Sequence, residues 1–221
     1  MAGIQDFSTF SDDFWGVDAF GAAGQGSPWA IADTSAAGAP TYANVTPSAT
    51  GEVALTLAAT SEVENVCLSF GDTLSFDIDN LIRFQCRVKV SGCTTGTTIS
   101  FGLGSARNDT PASMTALALF QMVGSASTTA VNVETDDNVT DTAPVASGAT
   151  LATVYKKFSI DFSGGKSNVK FYIDGQRVAG TTAFTMAGYT GSFQPFFQIQ
   201  KAANTNVDSI TIDYVHVEMR R

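Results

Sequence analysis

The chain has 221 residues, a formal net charge of −9 and 15% charged side chains, against 44% hydrophobic residues that include 16 phenylalanines. That composition supplies a large core and excludes global disorder. Its 12 Lys and Arg are scattered along the sequence, which argues against a nucleic-acid partner, and no stretch approaches the roughly 20 apolar residues of a membrane span.

The opening, MAGIQDFSTFSDDFWG, lacks a basic start followed by an apolar run, so no secretory leader is expected. Residues 1–50 are rich in Gly, Ala, Ser, Thr and Pro, with Phe7, Phe10, Phe14, Trp15, Phe20 and Trp29 irregularly spaced among them. A low-propensity segment studded with aromatics anchors on a surface, either its own domain or a neighbour. Two readings follow. Residues 1–30 form an attachment arm whose contacts are Phe7, Phe10, Phe14, Trp15 and Trp29, or Phe14 and Trp15 start the first strand and pack in the chain's own core.

Strands then recur with turn chemistry between them. VALTLA (53–58) and VCLSF (66–70) precede IRFQCRVKV, where Ile82, Phe84, Cys86, Val88 and Val90 alternate with Arg83, Gln85, Arg87 and Lys89. Such alternation puts one face on a core and the other in water, as antiparallel sheets do. TTISFGLG, LALFQMV and TAVNVET continue the series, while ASMTALALF fits helix or strand. Residues 135–153, TDDNVTDTAPVASGATLAT, read as a long exposed loop. Phe158, Ile160 and Phe162 then alternate inward, and Val169, Phe171 and Ile173 lead into Asp174-Gly175, a pair suited to a tight hairpin turn. FQPFFQIQ and VDSITIDYVHVEM close the chain. No helical period is long enough for a substantial helix, so the spacing predicts an all-β sandwich in a single domain over 1–221.

Three stretches, DDFWG, the KFSIDFSGG…VKFYIDGQRV meander and the terminal VDSITIDYVHVEM, resemble the concanavalin A-like (laminin-G-like) jelly roll, a sandwich of two antiparallel sheets whose first and last strands pair. The phrases SPWAIADTSAAGAPTYANVTPSATGEVALTLAATSEVENVCLSFGDTLSFDIDNL and FFQIQKAANTNVDSITIDYVHVEM resemble structural proteins of tailed bacteriophages. That resemblance implies a capsid decoration (cement) protein on the virion exterior. It would be made in the host cytoplasm, bind the major capsid protein and assemble as a homotrimer. The alternative it implies is a carbohydrate-binding adhesin on a head or tail fibre. Three cysteines, Cys67, Cys86 and Cys93, lack metal-like spacing and fit a reducing compartment.

The jelly-roll class includes glycoside hydrolases, in which retaining hydrolysis needs two carboxyls about 5–5.5 Å apart. Their motif, Glu-x-Asp-x-x-Glu, is approached by ETDDNV, with Glu134 and Asp136 spaced correctly but Val139 at the second Glu; FDIDN offers only Asp77 and Asp79. His216 is the only histidine, sits in register with Ile210, Ile212 and Tyr214, and reads as a packed or interface residue. FGLGSARND lacks the lysine of a phosphate loop. The expectation is no enzyme and no cofactor. For calcium, Glu134, Asp136, Asp137, Asn138 and Asp141 supply oxygens in no EF-hand spacing, so a solvated loop without metal is expected. For a glycan, which the resemblance leaves possible, Tyr42, Tyr155, Tyr172, Tyr189 and Tyr214 are the aromatic candidates. The sequons at Asn44, Asn108 and Asn138 read as chance in a bacterial host.

Overall fold

The computed structural model describes residues 7–14 and 27–221. In chain order the strands are β1 (Phe7–Asp12), β2 (Ala30–Asp33), β3 (Thr41–Asn44), β4 (Val53–Thr56), β5 (Glu62–Ser69), β6 (Phe76–Asp77), β7 (Leu81–Val90) and β8 (Thr97–Gly104). After one 3-10 turn at Pro111–Ser113 come β9 (Leu117–Val123), β10 (Ala130–Asp136), β11 (Asp141–Thr150), β12 (Lys156–Asp161), β13 (Lys170–Ile173), β14 (Gln176–Val178), β15 (Ser192–Asn204) and β16 (Ser209–Arg220). They form two 8-stranded antiparallel sheets. Sheet A runs β14-β13-β12-β7-β16-β4-β3 with β1 also on β16, and sheet B runs β11-β10-β9-β8-β15-β5-β2 with β6 on β15.

The alternation in β7 decides its faces. Phe84, Cys86, Val88 and Val90 are buried between the sheets while Arg83, Gln85, Arg87 and Lys89 stay half-exposed. Across the sandwich the buried Phe101, Phe120, Phe158 and Phe171 interlock edge to face, with ring centroids 4.9 Å apart for Phe101–Phe158 and 5.3 Å for Phe120–Phe171. That geometry sets the positive ring edge against the negative ring face. The Asp174-Gly175 turn has φ of 50° and 79°, the left-handed pair a two-residue hairpin requires.

Of the five aromatics assigned to an attachment arm, three serve the chain's own core. Phe14 and Trp29 are buried, Phe10 packs against them, and Trp29 stacks edge-on to Phe70 at 4.8 Å. The Trp29 indole N–H donates to Asp12 at 2.8 Å, giving its polar edge a partner. This corrects the arm reading for Phe10, Phe14 and Trp29. Phe7 is 50% exposed, and Trp15 lies outside the described residues. β1 pairs with β16 from Phe7–Arg220 to Asp12–Val215, so the first described strand and the last are neighbours.

Two further expectations change. The segment 135–153 is no loop: it completes β10 and forms β11, the edge strand of sheet B. Its Pro144 and Gly148 mimic loop composition, yet an edge strand paired irregularly tolerates both, and the β10–β11 ladder shows two register shifts. In β16 the register also shifts between Ile212 and Tyr214. Ile210 and Ile212 point inward, but after this bulge Val215 and Val217 do, so Tyr214 and His216 are turned outward rather than kept with the isoleucines.

Candidate functional site

Two outer faces flank the core, and each carries a groove. On sheet B the segment between β8 and β9 folds back over the face. Met114 joins Cys67, Leu117, Leu119 and Phe196 in a small second apolar cluster. Gly104 permits this contact, because a Cβ there would lie 2.7 Å from the Met114 sulfur. Amide side chains of the sheet hold the segment down. Asn65 and Gln198 both donate to the Asp109 carbonyl, at 3.1 and 2.8 Å, and Gln194 donates to the Ser105 carbonyl at 3.1 Å. The Arg107 guanidinium pairs with Asp109 within the crossing and donates to Thr34 Oγ1 just after β2, tying the crossing to that edge of the sheet.

Beside this crossing lies a groove of about 430 Å³ lined by Thr34, Asn65, Thr98, Asp109, Thr110 and Gln200, among others. Lys201 and Glu64 line its inner end, both fully buried with Nζ and Oε2 3.7 Å apart. Lys201 also donates to the carbonyls of Ala58, Thr60 and Asn206, and Glu64 accepts from Ala58 N and Thr60 Oγ1. The groove therefore presents amides, hydroxyls and one exposed carboxylate. Asn65 Oδ1 is buried at this groove without a hydrogen-bond partner, and Gln198 Oε1 is likewise unpartnered beneath the Asp109 crossing, a cost of about 1–3 kcal/mol each.

Towards the far edge of sheet B stands Glu134, opposite Leu119 in the ladder and only 5% exposed. Burial pushes its pKa up to about 7, with the nearby carboxylates Asp141 and Asp136 adding to the shift, and its Oε2 has no partner. Asp136 follows two residues on, so both carboxyls rise from the outer side of β10. Val139, at the position of the missing second Glu, is 77% exposed in the following turn.

The other acidic residues there shape that turn. Asp137 accepts the N–H groups of Val139, Thr140 and Gly188; burial raises its pKa, but these donors outweigh burial and hold it below the ordinary carboxylate value. Asp136 accepts from Asn138 N. Among the described residues no three His, Cys, Asp or Glu side chains are grouped to hold a metal ion.

On sheet A, cross-strand neighbours form polar rows. One row reads Ser11, His216, Gln85, Ser159, Tyr172, Arg177, and the next Thr9, Glu218, Arg83, Asp161, Lys170. Between β7, β12 and β13 they enclose a groove of about 290 Å³ lined by Arg83, Gln85, Lys157, Ser159, Asp161 and Tyr172, with Gly175 at its end. Of the candidate tyrosines, Tyr172 lines this groove, whereas Tyr155 is clamped by Arg87 and Lys89 at 4.5 and 4.4 Å from its ring centre. Sequence reasoning missed Asn65, Gln198, Gln200 and Thr98. They come from β5, β15 and β8, and no local motif marks them.

No family of proteins matches the chain by sequence, and no curated protein does. Solved structures do match. A GH16 protein of the Bacteroides ovatus mixed linkage glucan PUL, in complex with a G4G4G3G product, aligns with a TM-score of 0.64 at 14% identity, covering 94% of this chain and 99% of that one. The Bacillus licheniformis beta-glucanase aligns at 0.63 and 16% identity, covering 98% and 99%. A conserved carbohydrate esterase of the Shiga toxin-encoding bacteriophage phi24B aligns at 0.52 and 15% identity, covering 90% and 95%.

These matches correct the expectation that the chain is no enzyme. It shares its architecture with a glucanase over nearly its whole length, so one missing motif does not exclude catalysis. They place the fold without assigning a reaction. The chain is an all-β, concanavalin A-like jelly roll of two antiparallel sheets.

Proposed function

We propose that this protein is a saccharide-binding jelly roll of a tailed-phage virion, with the groove on sheet B as its binding site. The observation that carries the reading is the set of amides at that groove. Asn65 and Gln200, cross-strand neighbours in β5 and β15, both line it, and Asn65 keeps a buried carbonyl oxygen without a donor. Sugar hydroxyls are donors and acceptors at once, and planar amides are matched to them. A saccharide-bound protein among the structural neighbours supports the same reading.

Its test is calorimetric titration of the whole chain with mixed-linkage β-glucan oligosaccharides. Gln200→Ala and Thr98→Val should each weaken binding by about tenfold or more. Unchanged affinity in both variants, or no binding across the series, overturns the site. The same mixtures are assayed for new reducing ends, with Glu134→Gln as the control, because a carboxyl that keeps its proton near neutral pH is suited to general-acid work.

Placement on the virion belongs to the same proposal. The chain decorates the capsid exterior, binds the major capsid protein across subunit junctions and stabilises the assembled shell, because it binds that state better than free subunits. The resemblance to phage structural proteins supports this, and the exposed Phe7 on β1 is an apolar contact available for it. Co-sedimentation with empty phage shells tests it, and Phe7→Ser should weaken attachment if β1 faces the shell.

A further inference from the structure

Cations scattered in the sequence are gathered by the register of sheet A. Arg83, Arg87, Lys89, Lys157, Lys170 and Arg177, six of the 12 Lys and Arg, rise from its outer face. The carboxylates carried by strands of that face are Asp161, Asp213 and Glu218. Asp213 is engaged by Arg87, and Asp161 accepts the N–H of Ser163. In a chain of net charge −9 this face is the positive one.

Within the 290 Å³ groove, Arg83 and Lys157 stand at opposite ends, and among the described residues neither side chain has an ion-pair or hydrogen-bond partner. They are four register positions apart along the strands, roughly 13 Å. Between them lie an aromatic ring, Tyr172, an amide, Gln85, and a hydroxyl, Ser159, while the carboxylate of Asp161 stands beside Arg83 as its cross-strand neighbour.

We propose that this groove is a second binding site, on the opposite face from the first, and that it takes an acidic oligosaccharide. The two unpaired cations meet carboxyl groups on separate sugar units, since their spacing is too long for one small anion. Tyr172 offers a flat apolar surface to a pyranose ring, and Gln85, Ser159 and Asp161 engage hydroxyls. Asp161 also discriminates against nucleic acid, because a carboxylate beside Arg83 accepts sugar hydroxyls but repels a chain carrying a charge at every unit. The site stands independently of the groove on sheet B.

The experiment titrates the whole chain with trigalacturonic acid and with its methyl ester, which keeps every hydroxyl and removes the charge. The acid should bind at least about tenfold more tightly than the ester and lose affinity as salt is raised. Arg83→Gln and Lys157→Gln should each weaken the acid by about fivefold or more. Tyr172→Phe should keep binding and Tyr172→Ala lose it, while Gln200→Ala leaves it unchanged. Amide chemical shifts in the unaltered protein should move at Ser159 and Tyr172, a readout that needs no variant to fold. Equal affinity for acid and ester, no binding of either, unchanged affinity in both charge variants, or equally tight binding of an oligonucleotide of the same charge overturns the proposal.

Discussion

Glu134 holds its proton where an ordinary glutamate has lost it, and the consequence for stability has a definite sign. Between the ordinary value of 4.5 and about 7, the unfolded chain has released this proton while the folded chain retains it. The contribution of this carboxyl to stability therefore falls as pH rises through that window and is level on either side. Glu134→Gln should match the parent below the window and exceed it above by about 1–2 kcal/mol, because the folded protein no longer buries a charge. Urea unfolding across the pH range checks this, and parallel curves for the two proteins would refute it. Lys201 is the opposite case, a fully buried cation with an acidic partner and three carbonyl acceptors. Lys201→Met should cost about 3–5 kcal/mol by leaving Glu64 an uncompensated charge. A variant that unfolds at the parent's denaturant midpoint would show that the pair contributes nothing.

At the scale of elements, β1 is part of sheet A and not a detachable arm. Deleting residues 1–12 removes the β1–β16 ladder and takes Phe10 from the cluster around Trp29. The melting temperature should fall by on the order of 5–10 °C in scanning calorimetry; an unchanged value would show that β16 needs no cover there. The strands were legible where apolar and polar residues alternate strictly, as in β7, β12 and β13, because side-chain period and burial then coincide. They were illegible where an edge position relaxed the rules, as in β11 with Pro144 and Gly148. Asp213 shows a harder limit. One extra residue in β16 exchanges the faces of Tyr214 and His216, and only pairing with β7 reveals it. The grooves were illegible for the same reason. Arg83 and Lys157 reach one groove, and Asn65 and Gln200 become neighbours, only through long-range register, which leaves no trace in local spacing.

For the whole molecule, the virion reading implies a closed cyclic trimer, the symmetry that matches a three-fold position of the shell. Light scattering on the purified protein should then give three times 23.1 kDa. A monomer at high concentration would overturn the trimer and leave the saccharide grooves as they are.

The gathering of half the cations on sheet A has one more effect, which acts before any contact is made. A body with net charge −9 and a positive face is electrically lopsided. In the field of an acidic polysaccharide layer it feels a torque as well as a repulsion, and the torque turns sheet A forward. Fields of this kind extend about 8 Å at physiological ionic strength, so alignment happens in the last steps of approach and shortens the search for a productive encounter. Sheet B, with its amides, hydroxyls and exposed carboxylate, is then left facing away, free to meet a different surface at the same time.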